Sequence, residues 1–102
     1  MTQEQLIEGN KLIAKFMDEY DLYHWGRDPF NELLTATYHS SWNKLMPVVE
    51  KIESLGLKCE IGISSCVIYS AKYNTERVYA DTKIKAVWIA VVEFINWYNS
   101  TK

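Results

Sequence analysis

One stretch of this chain, Tyr38-His39-Ser40-Ser41-Trp42, brings together in sequence an imidazole, two serine hydroxyls and the side chains of a tyrosine and a tryptophan. Serine and histidine serve nucleophilic catalysis, but a Ser/His pair adjacent in sequence rarely has triad geometry, and no G-x-S-x-G elbow surrounds this one. A serine before a helix also acts as its N-cap. The pattern therefore favours a structural corner, and it leaves open whether Tyr38 and His39 face a cleft or brace the turn.

The other histidine of the chain, His24, raises the alternative of a metal site. His24 and His39 with a carboxylate such as Asp21 or Asp28 would form one if the two extended segments around them paired. Two histidines without helical or C-x-x-C spacing are weak evidence for metal. We therefore expect a non-enzymatic protein with no cofactor, and keep an enzyme or metalloprotein using His24 and His39 as an alternative.

Aromatic and basic side chains near the histidines suggest a cleft that stacks a base or nucleotide. Its candidate residues are Tyr23, Trp25, Arg27, Tyr38 and Trp42. The alternative assigns Trp42, and one of Tyr23 and Trp25, to the core. The four glycines are isolated, so no glycine loop cradles phosphate. A nucleotide binder would instead meet phosphate through Arg27, Lys44 or Arg77.

The composition suits one small domain, residues 1–102, with 48% hydrophobic and 14% aromatic residues. Eleven basic and thirteen acidic residues alternate along the chain, which argues against general binding to nucleic acid or an anionic membrane. The sequence shows neither a secretory signal nor an apolar run of the about 18 residues that a membrane span needs. We therefore expect a cytoplasmic protein in which Cys59 and Cys66 are reduced thiols. A disulfide between them would require that the two cysteines lie opposite each other in a hairpin.

Helical periodicity predicts a first and a last helix. Thr2 with Gln5 forms a capping box for a helix from about Gln3 to Tyr20, in which Gly9 allows another backbone to approach. Asp81 or Thr82 caps the last helix, whose apolar sector covers roughly 200°. That sector is wider than one-sided packing requires. The last helix is therefore either wedged between the sheet and other helices, with Trp88 and Trp97 covered by two surfaces, or it supports a homodimer or partner interface.

The middle helix follows the Tyr38 to Trp42 corner. Ser40 or Ser41 is its natural N-cap, and Gly56 is a left-handed stop. Pro47 implies that the helix either becomes regular only near Met46 or is kinked.

Two pairs of strands are predicted between these helices. The first pair is a short strand at Asp21 to Trp25 and an extended stretch ending near Thr35 to His39. The second is an antiparallel hairpin made by Leu57 to Ile63 and Cys66 to Ala71, with a short strand near Arg77 to Tyr79. The result is an α+β domain of order α-β-β-α-β-β-α, with a small antiparallel sheet of three to five strands and about three helices.

Three segments of the chain resemble small uncharacterised proteins of bacteriophages, prophages and related bacterial genomes. They are NKLIAKFM (residues 10–17), YHSSWNKLMPVVEKIE (38–53) and AVWIAVVEFINWYN (86–99). The resemblance implies a setting and no chemistry. Small acidic phage proteins often act by stoichiometric binding, and some block host defence systems such as CRISPR effectors or sequester signalling nucleotides.

From the resemblance, the missing catalytic signature and the apolar last helix, we expect an interaction protein of phage type that inhibits a bacterial protein. The alternative is a small-ligand binder, such as a sponge for a cyclic nucleotide. Aromatic residues dominate binding hot spots. The expected contact residues are Tyr23, Trp25, Arg27, Tyr38, His39, Trp42, Trp88 and Trp97.

Overall fold

The computed structural model describes residues 3–17 and 38–101, which contain three helices and one three-stranded antiparallel sheet. The helices are α1 (Gln3–Phe16), α2 (Trp42–Ser54) and α3 (Lys83–Ser100), and the strands are β1 (Lys58–Ile61), β2 (Ser65–Tyr69) and β3 (Val78–Tyr79). The α+β class and the small antiparallel sheet are confirmed. The first predicted strand pair falls mainly outside the described residues, and Tyr38 to Ser40 form a turn. None of the three described helices combines the length and apolarity needed to cross a membrane.

Helix α3 lies at the centre of the packing, in contact with β2, β3, α1 and α2. Its buried residues are Ala86, Val87, Trp88, Ala90, Val91, Phe94 and Ile95. The helix is wedged between the sheet and the other two helices, as one alternative predicted, and Trp88 is covered, but Trp97 is only half-buried. A homodimer through this helix stays a prediction. At its start, Thr82 Oγ1 accepts a hydrogen bond from the Lys85 backbone N–H at 3.2 Å, as the predicted cap requires.

Helix α2 is continuous through Pro47, so the first of the two alternatives, a regular helix starting only near Met46, is wrong, while a kink at Pro47 stays a prediction. Ser41 is the N-cap residue, but its side chain makes no capping hydrogen bond. The proline lacks the N–H that would bond to the Asn43 carbonyl, and both residues are exposed, so water can satisfy that carbonyl. The helix ends at the predicted stop, Gly56, whose φ of 97° is left-handed.

The sheet has strand order β1-β2-β3. Cys59 pairs with Ile68 and Ile61 with Cys66 across β1 and β2, and Ser65 pairs with Tyr79 across β2 and β3. Cys66 and Ile68 are fully buried on the face that packs against the helices. The alternate residues of the two strands, such as Glu60 on β1 and its partner Val67 on β2, lie on the outer face.

Candidate functional site

Three polar side chains from distant parts of the sequence form a hydrogen-bonded chain between α1 and α3. Trp88 Nε1–H donates to Asn10 Oδ1 at 2.9 Å, and the Asn10 amide nitrogen lies 3.0 Å from His39 Nδ1. Asn10 is 2% exposed and Trp88 is 3% exposed. Leaving such a buried amide without partners would cost about 1–3 kcal/mol. Each of the three segments 10–17, 38–53 and 86–99 supplies one member of the chain.

The indole determines the direction of every bond in this chain, because an indole N–H can only donate. The Asn10 atom that faces Trp88 must be the oxygen, so the amide nitrogen faces His39 and donates to Nδ1. Nδ1 therefore accepts, and the neutral imidazole carries its hydrogen on Nε2. His39 is held in one tautomer, with Nε2–H as the ring's donor.

Gly9 is the reason that Trp88 can lie so close to α1. A Cβ added at Gly9 would lie 2.2 Å from Trp88 Cζ2 and 2.4 Å from Cη2, and 3.1 Å from Val92 Cγ2. Any side chain at position 9 would therefore displace the indole. The sequence predicted the approach of a backbone at Gly9, but the group that approaches is the ring of Trp88.

A cavity of about 270 Å³ lies beside this chain, at the N-terminal end of α3. Among the described residues, its wall is formed by Leu6, His39, Thr82, Lys85 and Trp88. Lys85 supplies the positive charge, and its Nζ lies 3.4 Å from Asp81 Oδ2 in an exposed ion pair, a kind that contributes little to stability. The first turn of a helix also favours negative charge, through its free backbone N–H groups and its dipole. Lys85, Thr82 and His39 all line this cavity, and each side chain carries a group that is able to donate a hydrogen bond.

The predicted contact residues fall into different environments. Tyr38 is 2% exposed and is a core residue, as is Trp88, so neither presents its ring to a partner protein. Trp97 is half-buried, and the centroid of its ring lies 4.8 Å from the centroid of the Tyr73 ring. Trp42 is 37% exposed, which shows that its assignment to the core was wrong. Tyr23, Trp25 and Arg27 lie outside the described residues.

Two of the three cations predicted to meet phosphate, Lys44 and Arg77, belong to the described residues, and neither lines this cavity. Lys44 is exposed on α2, and Arg77 is bonded to Glu60 and Ser65 at the outer face of the sheet. No three His, Cys, Asp or Glu side chains within residues 3–17 and 38–101 lie close enough to hold a metal ion. A site shared by His24 and His39 stays a prediction, since His24 lies outside that part of the chain.

No protein-family model, curated protein or solved structure matches this chain. The chemistry of the cavity is therefore the basis for a functional assignment. Sequence reasoning missed Asn10, Thr82 and Lys85 as site residues. A signal did exist for Asn10, because it shares a helical face with Leu6 and Ile13, and a polar residue on an apolar stripe is buried only when it is hydrogen-bonded.

Proposed function

We propose that this chain is a small-ligand binding protein whose site is the cavity beside Asn10, His39 and Trp88, and whose ligand is a small organic anion. The observation that carries the proposal is the hydrogen-bonded chain from Trp88 through Asn10 to His39. It leaves Nε2–H as the donor of the imidazole, and His39 lines the cavity together with Lys85.

The polar part of the wall favours an acceptor-rich ligand. A carboxylate or phosphate would receive hydrogen bonds from His39 and Thr82 and the charge of Lys85, while competing with exposed Asp81 for that lysine. Because Asn10 already holds the imidazole of His39, the His39 side chain would lose little conformational entropy when the ligand binds.

The apolar part of the wall sets the size and shape of the ligand. Leu6, which is partly exposed, offers a surface for a small apolar group, whereas Trp88 is 3% exposed and adds little to that surface. A volume of about 270 Å³ is near the lower end of ligand pockets, which typically start at about 300 Å³. A cyclic-nucleotide sponge, the alternative suggested by the sequence, belongs to this class, with Lys85 in the role expected of Arg27, Lys44 or Arg77.

A thermal-shift screen tests the proposal with small carboxylates, phosphate monoesters, cyclic nucleotides and inorganic phosphate as probes. A ligand present at 100 times its dissociation constant stabilises the folded state by about 2.7 kcal/mol. We expect at least one probe to raise the melting temperature of the wild type, and Lys85→Gln to abolish that rise. Lys83→Gln is the matched control, because it removes the same charge from the same helix turn but from a residue outside the cavity wall. No stabilisation by any probe, or equal loss in both variants, would contradict the proposal.

A second function, the inhibition of a bacterial protein in the cytoplasm of a bacterial host, is favoured by a different observation. Ile63 is 90% exposed and Tyr79 is 74% exposed. Both lie at one end of the sheet, where the Ala80 N–H donates to the Ser64 carbonyl at 3.0 Å. If these two large apolar side chains form one exposed patch, a partner protein would cover it, since such patches are typical of protein contact sites. The resemblance to phage proteins supplies the setting.

Inhibition assays on purified host defence effectors, CRISPR nucleases included, test this second function. We expect Ile63→Asp or Tyr79→Asp to abolish inhibition, while Lys85→Gln retains it. Leu55→Asp is the control, since Leu55 is also an exposed apolar residue, 45% exposed at the C-terminal end of α2. If Lys85→Gln alone abolished inhibition, the cavity rather than the end of the sheet would be the functional surface.

A further inference from the structure

Two thiols lie in contact across the β1–β2 hairpin. Cys59 Sγ and Cys66 Sγ are 3.7 Å apart, and neither forms a disulfide. The register pairs Cys59 with Ile68 and Cys66 with Ile61, so the thiols are diagonal neighbours rather than directly opposite. The chain contains only these two cysteines. Any disulfide formed within one molecule must therefore join them.

The pair is asymmetric in access and acidity. Cys66 is fully buried, whereas Cys59 is partly exposed. A hydrogen bond from the Cys66 S–H lowers the pKa of Cys59, against the opposing effects of burial and of Glu53. The same contact, together with burial, raises the pKa of Cys66. Since the thiolate is the reactive form, an oxidant in solution meets the more reactive thiol first.

We propose that Cys59 and Cys66 form a peroxide-responsive dithiol, in which Cys59 is the attacking thiol and Cys66 the resolving thiol. In the first step the Cys59 thiolate attacks one oxygen of hydrogen peroxide. An S–O bond forms, the O–O bond breaks, and the departing hydroxide takes a proton from solvent to become water.

In the second step the Cys66 sulfur attacks the sulfur of the Cys59 sulfenic acid. The S–O bond breaks, and the hydroxide leaves with the Cys66 proton as a second water. In sum, two thiols lose two hydrogens and one peroxide becomes two waters. The sulfurs must close from 3.7 Å to about 2.05 Å. Rotation of both side chains and a small shift between β1 and β2 would bring them together.

The test exposes the native protein to hydrogen peroxide with dimedone present, then denatures it and labels the remaining thiols before mass spectrometry. In the wild type we expect the loss of two hydrogens, no labelled thiol, no dimedone adduct, and recovery of both thiols with dithiothreitol. Cys66→Ala should give a dimedone adduct on Cys59, because the resolving thiol is missing. Cys59→Ala should leave Cys66 as a free thiol, because burial shields it.

The wild-type measurement decides the proposal even if a variant fails to fold. Two labelled thiols after peroxide treatment would overturn it, as would disulfides formed only between molecules or Cys59 oxidised to the sulfinic acid. If Cys66 in Cys59→Ala reacted as fast as Cys59 in Cys66→Ala, the assigned order of attack would be wrong.

Discussion

The indole N–H of Trp88 donates to Asn10 Oδ1 at 2.9 Å, joining residues 78 positions apart in the chain. The bond connects α1 to α3, and through the Asn10 amide it also determines which nitrogen of His39 carries the hydrogen. This buried contact between the first and the last described helix thus holds the two helices together and also positions a polar residue, His39, on the wall of a cavity.

His39 should be the Nε2–H tautomer, because the Asn10 amide donates to Nδ1. Long-range ¹⁵N–¹H correlation spectra of the neutral imidazole distinguish the two tautomers directly. Asn10→Asp should shift the ring towards Nδ1–H, because a carboxylate can only accept. Gln3→Glu is the control, since it adds the same charge at an exposed position of α1 and should leave the tautomer unchanged. An Nδ1–H tautomer in the wild type would disprove the inferred direction of the chain.

Gly9→Ala should destabilise the protein, although Gly to Ala inside a helix usually adds up to about 1 kcal/mol of stability. The new methyl group would lie 2.2 Å from Trp88 Cζ2, so the indole must move and strain its bond to Asn10. Overpacking of this kind costs about 1–3 kcal/mol. Urea denaturation followed by circular dichroism measures the free energy of unfolding.

A double-mutant cycle with Trp88→Phe tests whether the Trp88 ring is the cause. The smaller ring leaves more room beside position 9, so Gly9→Ala should cost less in the Trp88→Phe background than in the wild type. An equal cost in both backgrounds would show that the two positions are independent.

Local sequence signals were enough to predict that the three helices and the β1–β2 hairpin of the described residues exist. The cap at Thr82, the left-handed stop at Gly56 and the alternation around Cys59 each depend on only a few neighbouring residues. The cavity could not be predicted in this way, because it exists only where α1, the turn at His39 and α3 meet. No local pattern specifies which polar groups will face each other across such a junction.

Trp42 shows why helical periodicity on α2 did not predict which apolar residues are buried. The buried face of this helix consists of Leu45, Val48, Val49 and Ile52. At 100° per residue, Trp42 and Met46 lie at one edge of that face. Their exposed fractions are 37% and 36%. Periodicity identified the apolar sector correctly, but only the packing shows where its covered part ends.

Trp42→Ala should therefore cost only about 1 kcal/mol, well below the roughly 3–5 kcal/mol of a fully buried aromatic residue. Leu45→Ala, at a fully buried position of the same helix, should cost about 2–5 kcal/mol. Urea denaturation of both variants gives the comparison. A cost for Trp42→Ala as large as that for Leu45→Ala would mean that the indole is structurally essential despite its exposure.

A three-residue cluster on the outer face of the sheet makes stability depend on pH. The Tyr69 hydroxyl donates to Glu60 Oε2 at 2.6 Å, and Arg77 Nη2 donates to Glu60 Oε1 at 3.2 Å. The bond from Tyr69 is the main cause that lowers the pKa of Glu60, with the Arg77 charge as a further cause. The same bond raises the pKa of Tyr69. Because the folded pKa of Glu60 is depressed, its contribution is complete above the ordinary Glu pKa of about 4.3 and is lost as pH falls through the folded value.

An NMR titration of the Glu60 side-chain carboxyl measures this effect. Tyr69→Phe should raise the midpoint more than Arg77→Gln does, because it removes the larger cause. Tyr79→Phe removes a hydroxyl from neighbouring β3 and should leave the midpoint unchanged. High salt should weaken the effect of the Arg77 charge on the pKa of Glu60, because salt screens charges. It should weaken the effect of the short hydrogen bond from Tyr69 far less. A midpoint that responded to Arg77→Gln and salt but not to Tyr69→Phe would show that charge, not the hydrogen bond, controls Glu60.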